Sequence, residues 1–269
     1  MNMLDPYFLQ LPTKGKVPIV ISSPHSGTEF PDEIKNQYNQ ELIKSPDDTD
    51  WFLDQLYQFA PDMGITFINA RYSRWVIDLN RTPNSEPLYN DGRIITELCP
   101  STTFTGESIY LDQKPDQAEI QRRLDNYYWP YYQKIQSLLD ELKAEFGHVL
   151  LYDAHSIRQE VKTIYPEKFP DLILGTADEK SAHSQVIQTA VGILGNDQYS
   201  FSHNYPFKGG HITRYFGKPS ENQHAIQLER CKTIYMNDAE TEYAIDRSEK
   251  LQTVLKNLFS QLSQTLQNL

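Results

Sequence analysis

Four stretches of the chain end in side chains that can do acid, base or metal chemistry. Pro18-Ile19-Val20-Ile21 runs through Ser22-Ser23-Pro24 into His25, and Val149-Leu150-Leu151-Tyr152-Asp153 runs into Ala154-His155-Ser156. His224-Ala225-Ile226-Gln227-Leu228 ends on Glu229, and Trp75-Val76-Ile77 leaves into Asp78-Leu79-Asn80-Arg81. β-Branched and aliphatic runs of this length suit buried strands. In an open α/β sheet, ligands collect outside the carboxyl ends of the strands. Two histidines from different strands and one carboxylate are the usual protein ligands of a catalytic zinc, with a fourth position left for water. A second carboxylate, off the metal, is needed to take the water's proton. Asp153, two residues before His155, is placed to orient it as an outer acceptor. A plainer reading stands beside this one. His25 alone is as readily a hydrogen-bonded turn histidine, and no His-Glu-x-x-His helix is present.

The elements that would position these groups alternate along the chain. Ile65–Asn69 and Tyr72–Arg81 read as strands, as do Asp171–Gly175 and His224–Glu229. Residues 51–59, 115–146, 179–194 and 237–268 carry helical apolar spacing, the last as one helix or a pair. Asp48, Thr49 or Asp50 could cap the first of these helices. Pro130 should kink or split the second. The Tyr127-Tyr128-Trp129-Pro130-Tyr131-Tyr132 cluster fits core packing better than a stacking platform. Residues 82–112 are rich in breakers, among them Asn90-Asp91-Gly92, and predict a long loop. Asn204–His211 reads as a glycine-hinged loop. Strands alternating with helices predict a single α/β domain over residues 1–269, its central sheet mainly parallel or mixed and flanked by helices.

Composition narrows the partners. The net charge of −11 argues against a nucleic-acid backbone or an anionic membrane, since both reward a basic surface. It leaves room for a small anionic substrate held by a few arginines. The two cysteines, Cys99 and Cys231, have no paired spacing, which excludes a cysteine-type structural zinc site. The first residues lack the pattern of a signal peptide, and no apolar run approaches the ~20 residues that span a bilayer. The expectation is a soluble cytoplasmic protein.

Six blocks carry a resemblance. Pro24-His25-Ser26-Gly27-Thr28, Asp48-Thr49-Asp50-Trp51, Tyr72-Ser73-Arg74 with Val76 to Arg81, Tyr152-Asp153-Ala154-His155-Ser156, Phe207-Lys208-Gly209-Gly210 and Gln227-Leu228-Glu229 occur in that order. Together they resemble the N-formylglutamate amidohydrolases, which are similar in turn to zinc carboxypeptidases. The resemblance implies a carboxypeptidase-like (phosphorylase/hydrolase-like) fold, one zinc ion per chain, and hydrolysis of N-formyl-L-glutamate to formate and L-glutamate, as in histidine breakdown. It implies His25 and His155 as metal ligands and Glu229 as general base. The carboxypeptidase pattern His-x-x-Glu is not kept, because Thr28 stands three residues after His25. Asp50 is the preferred replacement, with Asp48 and Glu29 as alternatives. Asp78 to Arg81 matches the carboxypeptidase substrate anchor, which assigns Arg81 to a substrate carboxylate or the oxyanion, with Asn80, Gly209 and Gly210 beside it. Arg71, Arg74 and Arg81 lie within eleven residues, and Arg214 follows the glycine loop. Arginine binds carboxylates in a two-pronged geometry, although each of these could equally be a surface ion pair. A zinc deacylase or carboxypeptidase for another N-acyl amino acid, and a metal-free binding protein, are the competing readings. The oligomeric state is not legible.

Overall fold

A computed structural model describes residues 4–84, 97–196 and 198–269. Among these, seven strands form one sheet, β1 (Tyr7–Gln10), β2 (Ile19–Ser23), β3 (Thr66–Ala70), β4 (Val149–Ile157), β5 (Leu172–Gly175), β6 (Phe201–His203) and β7 (Gln223–Cys231). Their order is β1-β3-β2-β4-β7-β5-β6. The central four, β3, β2, β4 and β7, are parallel, β1 and β5 pair antiparallel to β3 and β7, and β6 runs parallel to β5. The helices are α1 (Asp32–Lys35), α2 (Leu53–Leu56), α3 (Gln117–Arg123), α4 (Trp129–Phe146), α5 (Ser184–Leu194), α6 (His211–Phe216) and α7 (Ile245–Gln267). The expected mixed, mainly parallel sheet with flanking helices is therefore what forms. None of the described helices is long and apolar enough to cross a membrane.

Side chains alternate across a strand, and the alternation separates two cores. Ile19, Ile21, Phe67, Leu150, Tyr152, Ile226 and Leu228 pack against α2, α5 and α7. Val20, Ile68, Val149, Leu151 and Ala225 pack on the other face against α4, α6 and the chain around Trp75 to Leu79. Along that second face the period-2 rule continues Val149 and Leu151 into Asp153 and His155, and Ala225 into Gln227 and Glu229. One face of the sheet is thus apolar at its amino end and polar at its carboxyl end.

Register completes the step. β2 stays paired with β4 only to Ser22↔Asp153, whereas β4 and β7 continue together to Ile157↔Cys231, setting His155 opposite Glu229. His155 therefore lies inside a strand rather than past its end, and Glu229 likewise. His25 does lie in the turn after β2. Gly27 follows it where a Cβ would meet the Tyr72 carbonyl oxygen at 2.2 Å, so only glycine lets the two segments approach.

The expected strand over Tyr72–Arg81 does not form. Tyr72 makes a single bridge to Glu29, and the chain then turns repeatedly. The outer edge of β3 is already taken by β1, so Trp75, Val76, Ile77 and Leu79 are buried by side chains instead of by a ladder. Pro130 sits in the first turn of α4, where its missing N–H is tolerated, and the expected break is a π-turn, Leu124–Tyr128, joining α3 to α4. The segment 51–59 shortens to α2, whose N-cap is Phe52 without a side-chain bond. Asp48 and Asp50 do not cap it. The 237–268 pattern resolves into the single helix α7. The breakers from Ser85 to Gly92 lie outside the described residues.

The tyrosine cluster is core, as its spacing implies, with Tyr127, Tyr128, Tyr131 and Tyr132 all buried. Its hydroxyls do more than fill space. Tyr128 donates to the Arg81 carbonyl at 2.8 Å and Tyr132 to the Leu79 carbonyl at 2.7 Å, while Tyr131 lies 3.0 Å from Ser22 Oγ. Arg123, fully buried, donates to the Val76 carbonyl at 2.9 Å. α3 and α4 thereby hold the irregular segment that follows β3.

At the amino end of the sheet His148 and His224 stack, with Nδ1 and Nε2 3.2 Å apart, and His183 donates its backbone N–H to His224. Burial, reinforced by His148 and His183, pushes His224 down to about 4. The unfolded chain then binds the extra proton between about 6.5 and about 4, so the stability this site contributes is complete above that window and is lost as pH falls through it. His224→Gln is expected to flatten the fall in urea-unfolding stability between pH 7 and pH 4.5. An unchanged slope would assign that fall to other groups.

Candidate active site

The carboxyl-end step of the sheet gathers residues from four segments. His25 comes from the turn after β2 and His155 from β4, while Glu229 comes from β7. Asp50 is tied to the first of these through its own backbone, whose N–H donates to the His25 carbonyl at 2.9 Å. Ser156 Oγ donates to Asp50 Oδ1 at 3.4 Å. The other oxygen, Oδ2, lies 4.0 Å from His25 Nδ1 and 3.3 Å from His155 Nδ1, off the line of a hydrogen bond and without another partner. His25, Asp50 and His155 offer three ligand atoms within 4.8 Å of one another, all on buried residues.

Each histidine is backed by a carboxylate on its outer nitrogen. His25 Nε2 donates to Asp78 Oδ1 at 2.7 Å, and His155 Nε2 lies 3.0 Å from Asp153 Oδ2. Asn80 Nδ2 approaches the same His155 nitrogen at 3.1 Å, and its Oδ1 accepts the Ile212 N–H at 2.9 Å. The Asp78 acceptor fixes the His25 ring and leaves its Nδ1 free to ligate, the arrangement found behind metal-bound histidines. Asp78 is also bonded by Arg74 Nη2 at 2.5 Å and by the Asn80 N–H at 2.9 Å.

The titration behaviour follows from these contacts. Burial opposes ionisation of Asp78, but Arg74, His25 and Arg81 outweigh it and hold its carboxyl well below the usual range. Burial likewise disfavours a charged His155, yet Asp153 and Asp50 hold its pKa well above the usual histidine value. His25 is pushed down by burial and by Arg74 despite Asp78. Glu229 is pushed up to about 7, chiefly by burial.

A cavity of about 300 Å³ opens onto this cluster. His25, Asp50, His155 and Glu229 line it, as do Arg74, Asn80, Arg81 and Gly210. Phe104, Val161, Ile164 and Phe207 form an apolar wall, and Thr163 Oγ1 donates to the Phe104 carbonyl at 3.2 Å across it. Gly210 is required there, since a Cβ would meet the Asn80 amide at 2.3 Å. Its N–H donates to Gln227 Oε1 at 2.7 Å.

The profile of the N-formylglutamate amidohydrolase family matches residues 17–236. The chain belongs to this family. It is 38% identical to the N-formylglutamate deformylase of Pseudomonas putida over 252 residues, covering 93% of each chain. It is 37% identical to that of Pseudomonas aeruginosa, over 93% of this chain and 94% of the relative. The crystal structure of N-formylglutamate amidohydrolase from Ralstonia eutropha JMP134 superposes with a TM-score of 0.83 at 25% identity, covering 98% of this chain and 99% of that one.

Against this amidohydrolase frame, most of the residues singled out from the sequence converge, and some do not. Of the three carboxylates considered as partner to the histidines, Asp50 is the one in the cluster. Asp48 Oδ2 accepts from Trp75 Nε1 at 3.1 Å, and Glu29 pairs with Arg71 at 3.1 Å near the surface. Arg71 is absent from the cavity wall. It is held by Glu29 and the Asp5 carbonyl and lies over the Phe8 ring, directly after β3. Gly209 and Arg214 also stand outside the lining, and Arg214 Nε donates to the Gly209 carbonyl at 3.2 Å. Arg230, next to Glu229, faces the opposite core, where it donates to Tyr152 Oη at 3.1 Å. Sequence reading missed Lys232, Arg158, Phe207 as a wall residue, and the 102–106 and 161–164 segments. Only the Phe207 block had a motif to draw attention to it.

Asp78→Ala would leave Arg74 buried without its carboxylate. Removing one partner of a buried pair destabilises by about 3–5 kcal/mol, whereas loss of a near-surface pair such as Arg71–Glu29 costs about 0–1 kcal/mol. Urea unfolding of Asp78→Ala and Arg71→Ala is expected to show this contrast. Equal effects would mean that Asp78 is not the buried tie described here.

Proposed function

We propose that the protein is a zinc-dependent amidohydrolase that converts N-formyl-L-glutamate and water to formate and L-glutamate. The observation that carries the metal is the buried Asp50 Oδ2, which lacks a hydrogen-bond partner and faces the Nδ1 atoms of two carboxylate-backed histidines. An unpaired buried carboxylate oxygen is costly, and a dication between these three atoms would satisfy it. Two imidazoles and a carboxylate suit zinc. The family membership and the names of the two Pseudomonas relatives support the substrate.

His25, Asp50 and His155 would hold the ion. When bound, zinc supplies Lewis acidity to the formyl carbonyl and to the attacking water. Glu229 takes one proton from that water and passes it to the amide nitrogen as the C–N bond breaks, and the second water proton follows from the new carboxyl group to the amine, so that formate and the protonated amine of glutamate leave. Its raised pKa suits the second half of this task, and a dication nearby would keep it ionised for the first. The substrate carries two carboxylates. Arg81, on the cavity wall and 3.8 Å from Asp78, anchors one of them or the developing oxyanion, with Asn80 and Arg74 fixing its surroundings. Among the described residues lining the cavity, Arg71, Gly209 and Arg214 do not appear.

Formate release from N-formyl-L-glutamate by zinc-replete protein tests the activity. For the metal, His25→Ala and His155→Ala are expected to lose stoichiometric zinc by elemental analysis, and Asp50→Ala to weaken it where Asp48→Ala and Glu29→Ala do not. Full zinc retention in both histidine variants would overturn the site. Glu229→Gln keeps the shape and removes the proton acceptor. Its rate is expected to fall by about 10²–10⁴ with zinc retained. Near-normal turnover would remove Glu229 from the base role, and loss of zinc would make it a ligand.

A further inference from the structure

Among the described residues, four lysine and arginine side chains line the cavity, and three of them have carboxylate partners. Arg74 and Arg81 face Asp78, and Arg158 pairs with Asp47 and Glu240. The fourth is Lys232, in the short turn Lys232–Ile234 that follows β7, three residues past Glu229. It is 3% exposed, and among the described residues no carboxylate lies within 4.0 Å of its ammonium. That group carries three donors and uses one described bond, to the Asp47 carbonyl at 3.4 Å. Its backbone is fixed, since the Lys232 carbonyl accepts the Tyr235 and Met236 N–H groups at 3.1 and 2.8 Å. Burying a charge is expensive unless it is paired. A fixed, buried cation on a cavity wall with donors to spare is built for an anion that arrives from the cavity.

We infer that Lys232 binds a carboxylate of the substrate beside the metal cluster. Lys232 lines the same cavity as Asp50, His155 and Glu229, and its ammonium is held at the Asp47 carbonyl, three residues before Asp50. A dicarboxylate with its scissile amide at the cluster then meets Arg81 with one carboxylate and Lys232 with the other. Lys232 is a specificity residue for the reaction proposed above and rests on that reading. It accounts for selection of a diacid by a chain whose net charge of −11 would otherwise repel one.

The test uses zinc-replete wild type, Lys232→Met and Lys232→Arg on N-formyl-L-glutamate, its α-carboxamide and its side-chain carboxamide, N-formyl-L-glutamine. Lys232→Met is expected to lower kcat/KM on N-formyl-L-glutamate about 10- to 150-fold, the size of a lost charge-assisted bond. The loss should be much smaller on the monoamide that lacks the carboxylate Lys232 holds, and Lys232→Arg should recover part of it. An equal loss on all three substrates, with or without loss of zinc, would overturn the assignment and make Lys232 structural. Calorimetric binding of glutarate separates this proposal from the activity itself. If wild type does not hydrolyse N-formyl-L-glutamate, the proposed function fails, while glutarate binding weakened in Lys232→Met still supports the anchor. Equal glutarate affinity in the two proteins overturns it.

Discussion

The Asp78 carboxylate is the tie on which the site depends. It is completely buried, and it accepts from His25 on one oxygen and Arg74 on the other, with the Asn80 N–H also on the first. An ionised carboxylate in such a place is tolerable only because those donors and the Arg81 charge surround it. The same contacts turn the His25 ring so that Nδ1 points toward Asp50, and they fix the turn that presents Asn80 to His155. One anion thus orients a histidine, an amide and two arginines.

That anion could not sit there without a scaffold for an irregular segment. After β3 the chain has no sheet edge to join, because β1 occupies it. Its carbonyls at Val76, Leu79 and Arg81 must find donors elsewhere, since buried backbone acceptors are rarely left empty. Arg123, Tyr132 and Tyr128 supply them from α3, α4 and the π-turn between them. The helix that closes one face of the sheet is also the brace for the turn that carries Asp78, Asn80 and Arg81. Packing and positioning are one structure here.

The polar cluster survives burial through a balance of sign. Asp50, Asp78, Asp153 and Glu229 stand against His155, Arg74, Arg81 and Lys232 within one step of the sheet. The apolar wall of Phe104, Val161, Ile164 and Phe207 lowers the local dielectric, which strengthens each of these interactions. The price of that environment is visible in Glu229, whose proton affinity rises because burial is its largest influence.

The sequence by itself determined the inner strands β2, β3, β4, β5 and β7, though not β1 and β6, and it singled out the two histidines that meet beside them. Short β-branched and aliphatic runs form strands where a sheet edge is open to them, and histidines placed beside two of them come together once the strands are parallel neighbours, as β2 and β4 are. Family blocks in order then assign His25, His155 and Glu229 to one site. Tertiary structure decided what local pattern does not encode. Whether Tyr72–Arg81 becomes a strand depends on a vacant sheet edge, which is a property of β1. Which of Asp48, Asp50 and Glu29 reaches the histidines depends on the path of a turn, and all three are acids in polar surroundings when read along the chain. Arg71 and Arg74 are three residues apart, yet one points to the surface and the other to the cluster. Lys232 carries no motif, and only the fold brings it to the cavity wall beside Asp47. Contacts between residues far apart in the chain are set by packing, and packing is decided by the whole fold at once.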